Sequence, residues 1–314
     1  LQRREGRHWI GGSVRIRDRN NLSITIALDF GRPAVKFSNP KIPEGINTSP
    51  DHPLKEFAWL LGSVSLLIIT VISVLGLMAE FLAARIPFSY EMELAGRFTE
   101  TTPDPSPARD YLQDIADRLA AAQDLPGDMK ITVHYADDEV ANAFATLGGH
   151  VVIYRGLLEK MKSENALAMV LSHEIAHIKH RHPVVALGRG VAVGIALGAL
   201  TGVSANVVAD RVIGNAGTLT ALGFSRSQES EADATALSAL VTVYGHANGS
   251  TDVFRTFMEI GRSQPLNPPE FLSTHPNPEN RIESIAEQIA DHDWQPIGTL
   301  TPIPTAVIEL LEID

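Results

Sequence analysis

Residues 170–182 read VLSHEIAHIKHRH and place four histidines and one glutamate in what is otherwise the pattern of an apolar helix. On an α-helix, residues four positions apart lie on the same face, so His173 and His177 can present two imidazoles to one metal ion. Glu174 lies beside them and completes the pattern H-E-x-x-H. In this pattern a zinc ion activates water and the glutamate accepts a proton from it as the water attacks a peptide carbonyl. The stretch therefore predicts a metal site on a buried helix.

Two imidazoles do not complete a catalytic zinc site, which needs three protein ligands and an open position. The chain contains no cysteine, so the third ligand has to be His, Asp or Glu. The downstream segment SRSQESEADATAL offers Glu229 and Asp233, which share a helical face, so one can bind the metal while the other orients a ligand imidazole. Glu231 points away from that face. We interpret His180 and His182 as mostly solvated side chains.

Composition sets limits on the class of protein. The 314 residues are enough for about two domains, and a hydrophobic fraction of 44% is typical of a globular protein. The net charge of -11 argues against a nucleic-acid partner, because such binding needs a basic face. The charge is uneven: residues 1–56 hold ten Lys and Arg against six Asp and Glu, whereas the remainder holds sixteen against thirty-one.

Residues 57–78 read FAWLLGSVSLLIITVISVLGLM, a run of 22 residues without a charge that is long enough to cross a bilayer as one helix. The alternative is a buried core helix, which is rarely apolar on every face. Lys and Arg near the two ends of the run are balanced, so they leave its orientation open. The short basic N-terminal segment as a whole favours the cytoplasmic side, which places the rest of the chain outside.

The remaining sequence predicts an α+β protein: a mainly helical domain with a small sheet, one transmembrane helix, and a short β-rich segment at the N-terminus. SVRIRDRNNLSITIAL has the alternation of a β-hairpin, and MKITVHYA and HVVIY are typical of strands. A Ser-Glu cap signal opens the helix that carries His173. The predicted boundaries are 1–56 for the basic β-rich segment, 57–78 for the transmembrane helix, 79–107 for a Pro-rich linker, 108–292 for the peptidase-like domain and 293–314 for a C-terminal tail.

Three motifs in this order are specific when taken together: HEIAH at 173–177, SRSQESEAD at 225–233, and THP at 274–276 followed by Arg281. They resemble the M48 family of zinc metallopeptidases, which includes the prenyl-protein protease of the endoplasmic reticulum, a mitochondrial inner-membrane peptidase and bacterial membrane-protein quality-control peptidases. The similarity covers about residues 86–290 and includes NAFATLGGHVVIYRGLL before the zinc helix. It implies a zincin-like fold and one zinc ion per chain.

Carried over residue by residue, the resemblance implies that His173, His177 and Glu229 bind zinc. Glu174 is then the general base, and Asp233 holds a ligand histidine in orientation.

The resemblance also places His275 over the zinc, where two roles are open. It can donate to the oxyanion that forms during attack, or it can fill the open metal position and keep the enzyme latent until a substrate displaces it. Arg281 is a second candidate for a cationic partner in the cleft. The strand before the zinc helix borders the cleft in this family, so an extended substrate can pair with its free edge. The residues concerned are Asn142, Ala143, Phe144 and Ala145.

A second apolar run, residues 190–208, lies between His177 and Glu229. One crossing of a membrane would separate these two ligands, so a single span there is incompatible with the zinc site. A hairpin dipping into the membrane, with VIGNAGTLTALGF as its return, and a soluble helix packed on the domain both remain. We favour the soluble helix because Gly and Ala make the run weakly hydrophobic.

The predicted function is a membrane-anchored zinc endopeptidase that acts on misfolded or membrane-associated proteins. The expected location is a bacterial inner membrane with a periplasmic peptidase domain, or alternatively the mitochondrial inner membrane. A different class of function is a chaperone-like binding module with a latent or structural zinc site, although Glu174 argues against it. A prenyl-protein protease is disfavoured because that branch has several spans.

Overall fold

A computed structural model describes residues 13–17, 23–27, 38, 53–83, 85–96, 106–204, 207, 223–263 and 269–311. The chain divides into two compact units, residues 1–56 and residues 57–314.

In the first unit, two short strands pair antiparallel: β1 (Ser13–Arg17) and β2 (Ser23–Ala27). Val14 lies opposite Ile26 in this register. Most of the rest of the unit lies outside the described residues, so the β-rich character predicted for residues 1–56 stays a prediction.

From residue 53 onward the described chain is mainly helical with one small sheet, as the sequence predicted. In chain order, the elements are α1 (Pro53–Ala83), α2 (Phe88–Ala95), α3 (Pro107–Ala122), β3 (Thr132–Ala136), β4 (Ala143–Ala145), β5 (His150–Tyr154), α4 (Arg155–Leu158), α5 (Glu164–Lys179), α6 (His182–Thr201), α7 (Arg226–Tyr244), α8 (Asp252–Ser263), α9 (Glu270–Thr274), α10 (Pro278–Asp291) and α11 (Thr305–Leu311).

A serine is the N-cap residue of each of the two helices that carry the metal-site motifs. Ser163 accepts a hydrogen bond from the backbone N–H of Ala166 at 3.2 Å, so the predicted cap of α5 is present. At the start of α7, Ser225 accepts from the backbone N–H of Gln228, and the Gln228 side chain accepts in return from the backbone N–H of Ser225. Such caps each contribute about 1 kcal/mol and fix where the helix begins.

The sheet has the order β3-β5-β4, with β3 parallel and β4 antiparallel to β5. Val133, Val151 and Ile153 are fully buried in the core that also contains the apolar side of α5. Strand β4 is at one edge of the sheet, where its last residue approaches Glu174 on α5. The sheet therefore brings an edge strand to the side of the predicted metal helix.

Helix α5 is buried on nearly every side, which explains why its sequence is apolar around most of its circumference. It packs against α7, where the Ser172 hydroxyl donates to the Ala236 carbonyl at 3.1 Å. Small side chains such as Ala236, which is 0% exposed, allow the two helices to approach closely. The pairing of α5 with α7 brings the first and second sequence motifs together.

Helix α1 is longer than the predicted span. Its most apolar part, Pro53–Met78, has the length and composition to cross a membrane, and its most apolar 18-residue window is 0% buried. Part of the segment predicted as a linker forms α2, whose Phe88 and Ala95 are buried. Residues after the helical domain also join the core, where Ile303 and Val307 are buried.

The second apolar run lies largely in α6. Val185 and Ala186 of this helix are buried, whereas Ile195 and Leu197 are 41% and 54% exposed. The return segment of the alternative membrane hairpin lies almost entirely outside the described residues. The choice between a packed helix and a membrane hairpin therefore stays open.

Candidate metal centre

Four potential metal ligands converge from three parts of the chain. His173 and His177 come from α5, Glu229 from the first turn of α7, and His275 from the residue that follows α9. One donor atom from each of the four lies within 4.8 Å of those of the other three, and all four side chains are buried. The structure thus brings together the three residues predicted as ligands and the histidine predicted to lie over them.

The Nε2 atoms of the two α5 histidines face each other. His173 Nε2 is 2.9 Å from His177 Nε2, and these atoms lie 3.4 Å and 3.6 Å from the carboxylate oxygens of Glu229. His275 Nδ1 is 3.0 Å from Glu229 Oε1 and 3.3 Å from His173 Nε2. Burial alone would raise the pKa of Glu229, but the neighbouring His275 and His173 hold it well below its ordinary value.

Glu174 lies at the edge of this group with its two oxygens in different surroundings. Its Oε2 accepts a hydrogen bond from the backbone N–H of Ala145 at 2.8 Å. Its Oε1 lies 3.4 Å from His275 Nε2 and is buried without a hydrogen bond. Burial raises the pKa of the Glu174 carboxyl above its ordinary value, against the opposing effect of His275 and His173. An oxygen left in this state is an available proton acceptor.

Asp233 and Arg281 surround the outer side of His173. Asp233 Oδ1 is 3.0 Å from His173 Nδ1, which matches the orienting contact predicted for it. Arg281 Nε donates to Asp233 Oδ2 at 2.7 Å, and Arg281 Nη1 lies 2.9 Å from Glu229 Oε2. The sequence suggested Arg281 as a cationic partner in the cleft. The guanidinium contacts the two carboxylates that in turn contact His173 and His177, and the role predicted for Arg281 in the cleft stays a prediction.

The interpretation of His182 as solvated is wrong, because only 3% of this residue is exposed. Its Nδ1 lies 2.8 Å from His177 Nδ1, and its Nε2 lies 3.2 Å from Glu231 Oε2. Burial lowers the pKa of His182 to about 4. His180 is partly buried and also contacts Glu231, at 3.3 Å. Helical spacing could not reveal the His182 contact, because a turn separates His182 from α5.

Phe224 is a further neighbour that sequence reasoning missed. Its ring stacks on the His177 imidazole with centroids 3.9 Å apart and an interplanar angle of 20°. The residue lies just before the Ser225 cap, so the start of α7 supplies an apolar wall to the ligand histidine as well as Glu229.

The edge strand β4 is less open than the sequence suggested. Asn142 and Thr146 pair with β5 through the Asn142 carbonyl and the Thr146 N–H, so the backbone groups of Ala143 and Ala145 point to the free edge. Both N–H groups already have acceptors: Asn142 Oδ1 at 2.9 Å from the Ala143 nitrogen, and Glu174 Oε2 for Ala145. The Phe144 side chain contacts the ring of Tyr154 instead.

The donor set suits a zinc-type ion. Imidazole nitrogens and a carboxylate are ligands that zinc accepts, and they converge beside a Glu174 oxygen that is buried without a hydrogen bond. A helix that carries two ligand imidazoles and a carboxylate base, joined by a carboxylate from a second helix, defines the class of metal-dependent hydrolases with an H-E-x-x-H helix.

A sequence profile of peptidase family M48 matches residues 107–289, more than half of the chain, and the chain belongs to this family. The predicted family is therefore confirmed. The mitochondrial metalloendopeptidase OMA1 of Schizosaccharomyces pombe is 30% identical over 191 residues, which are 60% of this chain and 55% of that protein.

Two bacterial relatives carry the name beta-barrel assembly-enhancing protease. The Yersinia pestis protein is 28% identical over 200 residues, covering 58% of this chain and 40% of that protein. The Escherichia coli K12 protein is 32% identical over 163 residues, covering 46% of this chain and 31% of that protein. The chain thus matches only part of the length of each relative. Family and relatives together support a metalloprotease.

Proposed function

We propose that this protein is a membrane-anchored zinc endopeptidase that cleaves misfolded or membrane-associated proteins. The observation that carries the proposal is the Glu174 oxygen that is buried without a hydrogen bond beside four convergent ligand atoms. A site that only stabilised the fold would have no use for a carboxylate held free at that position. The chaperone-like alternative is therefore disfavoured.

His173, His177 and Glu229 would hold the zinc ion, which when bound supplies Lewis acidity for water and for the peptide carbonyl. The Ala145 N–H anchors one oxygen of Glu174, and the other oxygen takes the proton from water and passes it to the leaving amine. The raised pKa of Glu174 suits this role, because a carboxylate with its usual pKa is a weak base at neutral pH. Asp233 holds His173 in the orientation that directs Nε2 to the ion.

We assign His275 the latency role. Its side chain is 1% exposed and its Nδ1 lies among the ligand atoms, so it takes up the space that a substrate carbonyl would need. It lies in the short turn between α9 and α10 and not within a helix, so it can move without unfolding an element. The free enzyme would then be restrained, and substrate binding would displace the imidazole.

Substrate would bind along β4 in an extended conformation. The Ala143 and Ala145 backbones point to the unpaired edge of β4. Ala143 is buried, so the Asn142 side chain has to turn away before the Ala143 N–H can donate to a new partner. Pairing through the main chain depends little on side chains, so it fits broad specificity for unfolded segments. The relatives named beta-barrel assembly-enhancing protease and mitochondrial metalloendopeptidase OMA1 are consistent with protein substrates.

The membrane anchor would be the helix over residues 53–78, whose apolar window is unburied. A peptidase domain on the periplasmic side of a bacterial inner membrane remains our proposal, with the mitochondrial inner membrane as the alternative. Membrane lipid is then a partner through this one helix.

The test of the proposed function is casein cleavage by the full chain. We expect cleavage that stops with a chelator, returns with zinc, and falls by roughly 10²–10⁴ in Glu174→Gln while zinc stays bound. Glu93→Gln, on α2 and away from the metal ligands, is the matched control and should leave the rate unchanged. Zinc binding without any cleavage would support the chaperone-like alternative instead.

Substrate pairing along β4 has a separate test. Ala143→Pro removes the N–H that a substrate strand would use, so it should raise KM or abolish casein cleavage with zinc retained. Ala143→Gly keeps the N–H and serves as the control. Unchanged kinetics in the proline variant would exclude pairing at this edge.

A further inference from the structure

The side of His177 that faces away from the other ligand atoms is covered by a second imidazole. His182 Nδ1 lies 2.8 Å from His177 Nδ1, and both residues are buried. The opposite nitrogen of His182 lies 3.2 Å from Glu231 Oε2, a carboxylate whose side chain is 53% exposed. Three side chains therefore form a line from the metal centre to the surface.

The proton positions along this line follow from the geometry. His177 directs Nε2 towards the other ligand atoms, so that nitrogen needs its lone pair and the proton has to be on Nδ1. The His177 Nδ1–H can then donate a hydrogen bond to His182 Nδ1. The proton of His182 is then on Nε2, and this N–H donates a hydrogen bond to the Glu231 carboxylate. Every contact in the line has one donor and one acceptor. This arrangement fixes the ring orientation and the tautomer of a metal ligand.

The turn between α5 and α6 places His182 against His177. Arg181 adopts a left-handed conformation with φ 64° and ψ 22°, which is unfavourable for a residue other than glycine. Its guanidinium is held by the Glu91 carboxylate at 2.5 Å and by the Ile86 carbonyl at 2.8 Å. Contacts with Glu91 of α2 and with Ile86, which precedes α2, thus support a strained turn, and after this turn His182 lies against His177.

His173 has an outer partner of a different kind, the carboxylate of Asp233. A second carboxylate directly on His177 would add another negative charge beside Glu229 and Glu174 in a buried site. A neutral imidazole gives the hydrogen bond without that charge, and it leaves the carboxylate of Glu231 further out, where solvent reaches it.

We propose that His182 is a positioning residue for the metal ligand His177, and that Glu231 in turn positions His182. The inference rests on the proposed metal-dependent function. Loss of a partner behind a ligand histidine typically weakens metal binding about 10–100-fold, so the effect should be measurable without any assay of cleavage.

The experiment measures the zinc dissociation constant of the full chain by competition with a chromophoric chelator. His182→Ala should bind zinc about 10–100-fold more weakly than wild type. His182→Asn should stay within about threefold, because an amide oxygen can replace Nδ1 as the acceptor. Glu231→Ala should weaken binding less than His182→Ala does. His292→Ala is the matched control: this exposed histidine contacts Gln288 and Trp294, so its removal should leave zinc binding unchanged.

The unfolding midpoint of each metal-free variant and the visible spectrum of its cobalt(II) form separate positioning from folding. We expect an altered cobalt spectrum in His182→Ala and a wild-type spectrum in His182→Asn. Equal zinc affinity in His182→Ala and wild type would overturn the proposal, and so would an Asn variant as weak as the Ala variant.

If His182→Ala does not fold, Glu231→Ala decides, and wild-type affinity and spectrum in that variant would refute the role of the line. Wild-type protein that binds no zinc would instead contradict the proposed function itself.

Discussion

Two of the polar clusters in the described part of the chain are satisfied in different ways, one around Glu164 and one at the metal centre. In the Glu164 cluster, the Glu164 carboxylate accepts from Arg118 Nη2 at 2.9 Å, from the Tyr244 hydroxyl at 2.8 Å and from the Tyr111 hydroxyl at 2.9 Å. Each oxygen has donors from the chain, and the partners come from α3 and α7, which pack on α5. This cluster joins three helices, and both oxygens of its carboxylate accept hydrogen bonds from side chains of the protein.

The metal centre lies on the same helix α5 and has the opposite balance. Its imidazole nitrogens and carboxylate oxygens face one another, and one oxygen of Glu174 has no hydrogen bond. Unpaired buried acceptors are costly unless a ligand or a proton completes them. Burial of charge by itself therefore does not mark a functional site; the metal centre differs in that several metal-binding groups converge beside an acceptor without a hydrogen bond.

The largest expected effect separates the two clusters by metal affinity. His177→Ala should weaken zinc binding on the order of 10²-fold or more, because it removes a ligand from a site whose binding free energy is shared among a few ligands. Glu164→Gln should leave zinc affinity unchanged. Zinc content after dialysis and competition titration measure both, and full retention in His177→Ala would contradict the ligand assignment.

The second prediction concerns folding. Glu164→Gln should lower the free energy of unfolding by about 2 kcal/mol, because the amide cannot satisfy the Arg118 charge and keeps only one acceptor oxygen. Denaturation by urea of the metal-free protein measures the change. Glu159→Gln, a partly exposed carboxylate of the same chain region, is the control and should change stability little.

The Glu164 cluster also gives a pH dependence with a definite sign. Burial would raise the pKa of Glu164, but the hydrogen bonds from Arg118, Tyr244 and Tyr111 outweigh it and leave the pKa below its ordinary value. The stabilisation is therefore present above pH about 4.3 and is lost as the pH falls through the lowered pKa. Equal acid sensitivity of wild type and Glu164→Gln would count against this assignment.

A smaller effect is expected from His275, for which we propose a latency role. His275→Ala should raise basal casein cleavage about tenfold if the open form is about a tenth of the population. The rate should be measured with zinc content in parallel. A lower kcat with zinc retained would instead identify His275 as an oxyanion donor, and wild-type behaviour in both measurements would exclude both roles.

The smallest predicted signal is a proton count. Burial and Arg281 lower the pKa of His173, but Asp233 and Glu229 outweigh them and raise it to about 9. The metal-free imidazole is then protonated at neutral pH, so zinc uptake should release about one proton and affinity should fall as the pH drops through 9. Calorimetry in two buffers of different ionisation enthalpy measures this number. Uptake without proton release would show that His173 is already neutral.

Much of the site could be predicted from local sequence patterns. The spacing of His173 and His177 and of Glu229 and Asp233 puts each pair on one helical face, and both faces turn towards the same place in the structure. The strands and the Ser163 cap could also be predicted, because alternation and capping depend on neighbours in sequence. The family followed from three motifs in order.

What the patterns missed depends on contacts between distant parts of the chain. Packing between distant segments produces the short helix α2, buries His182 and places Arg281 between two carboxylates. The hydrogen bond from the Ala143 N–H to the Asn142 side chain likewise depends on the geometry of the sheet edge.

The sequence by itself thus determined which residues to expect at the candidate metal centre, because helical periodicity and capping depend on residues only a few positions apart. Only the tertiary structure decided how those residues are held. Arg181 turns left-handed because Glu91 and Ile86 on a different segment stabilise it, and that turn, which no local preference favours, sets His182 behind His177. The orientation of the predicted metal ligands therefore depends on tertiary packing, because the side chains that contact their outer nitrogens come from other segments of the chain.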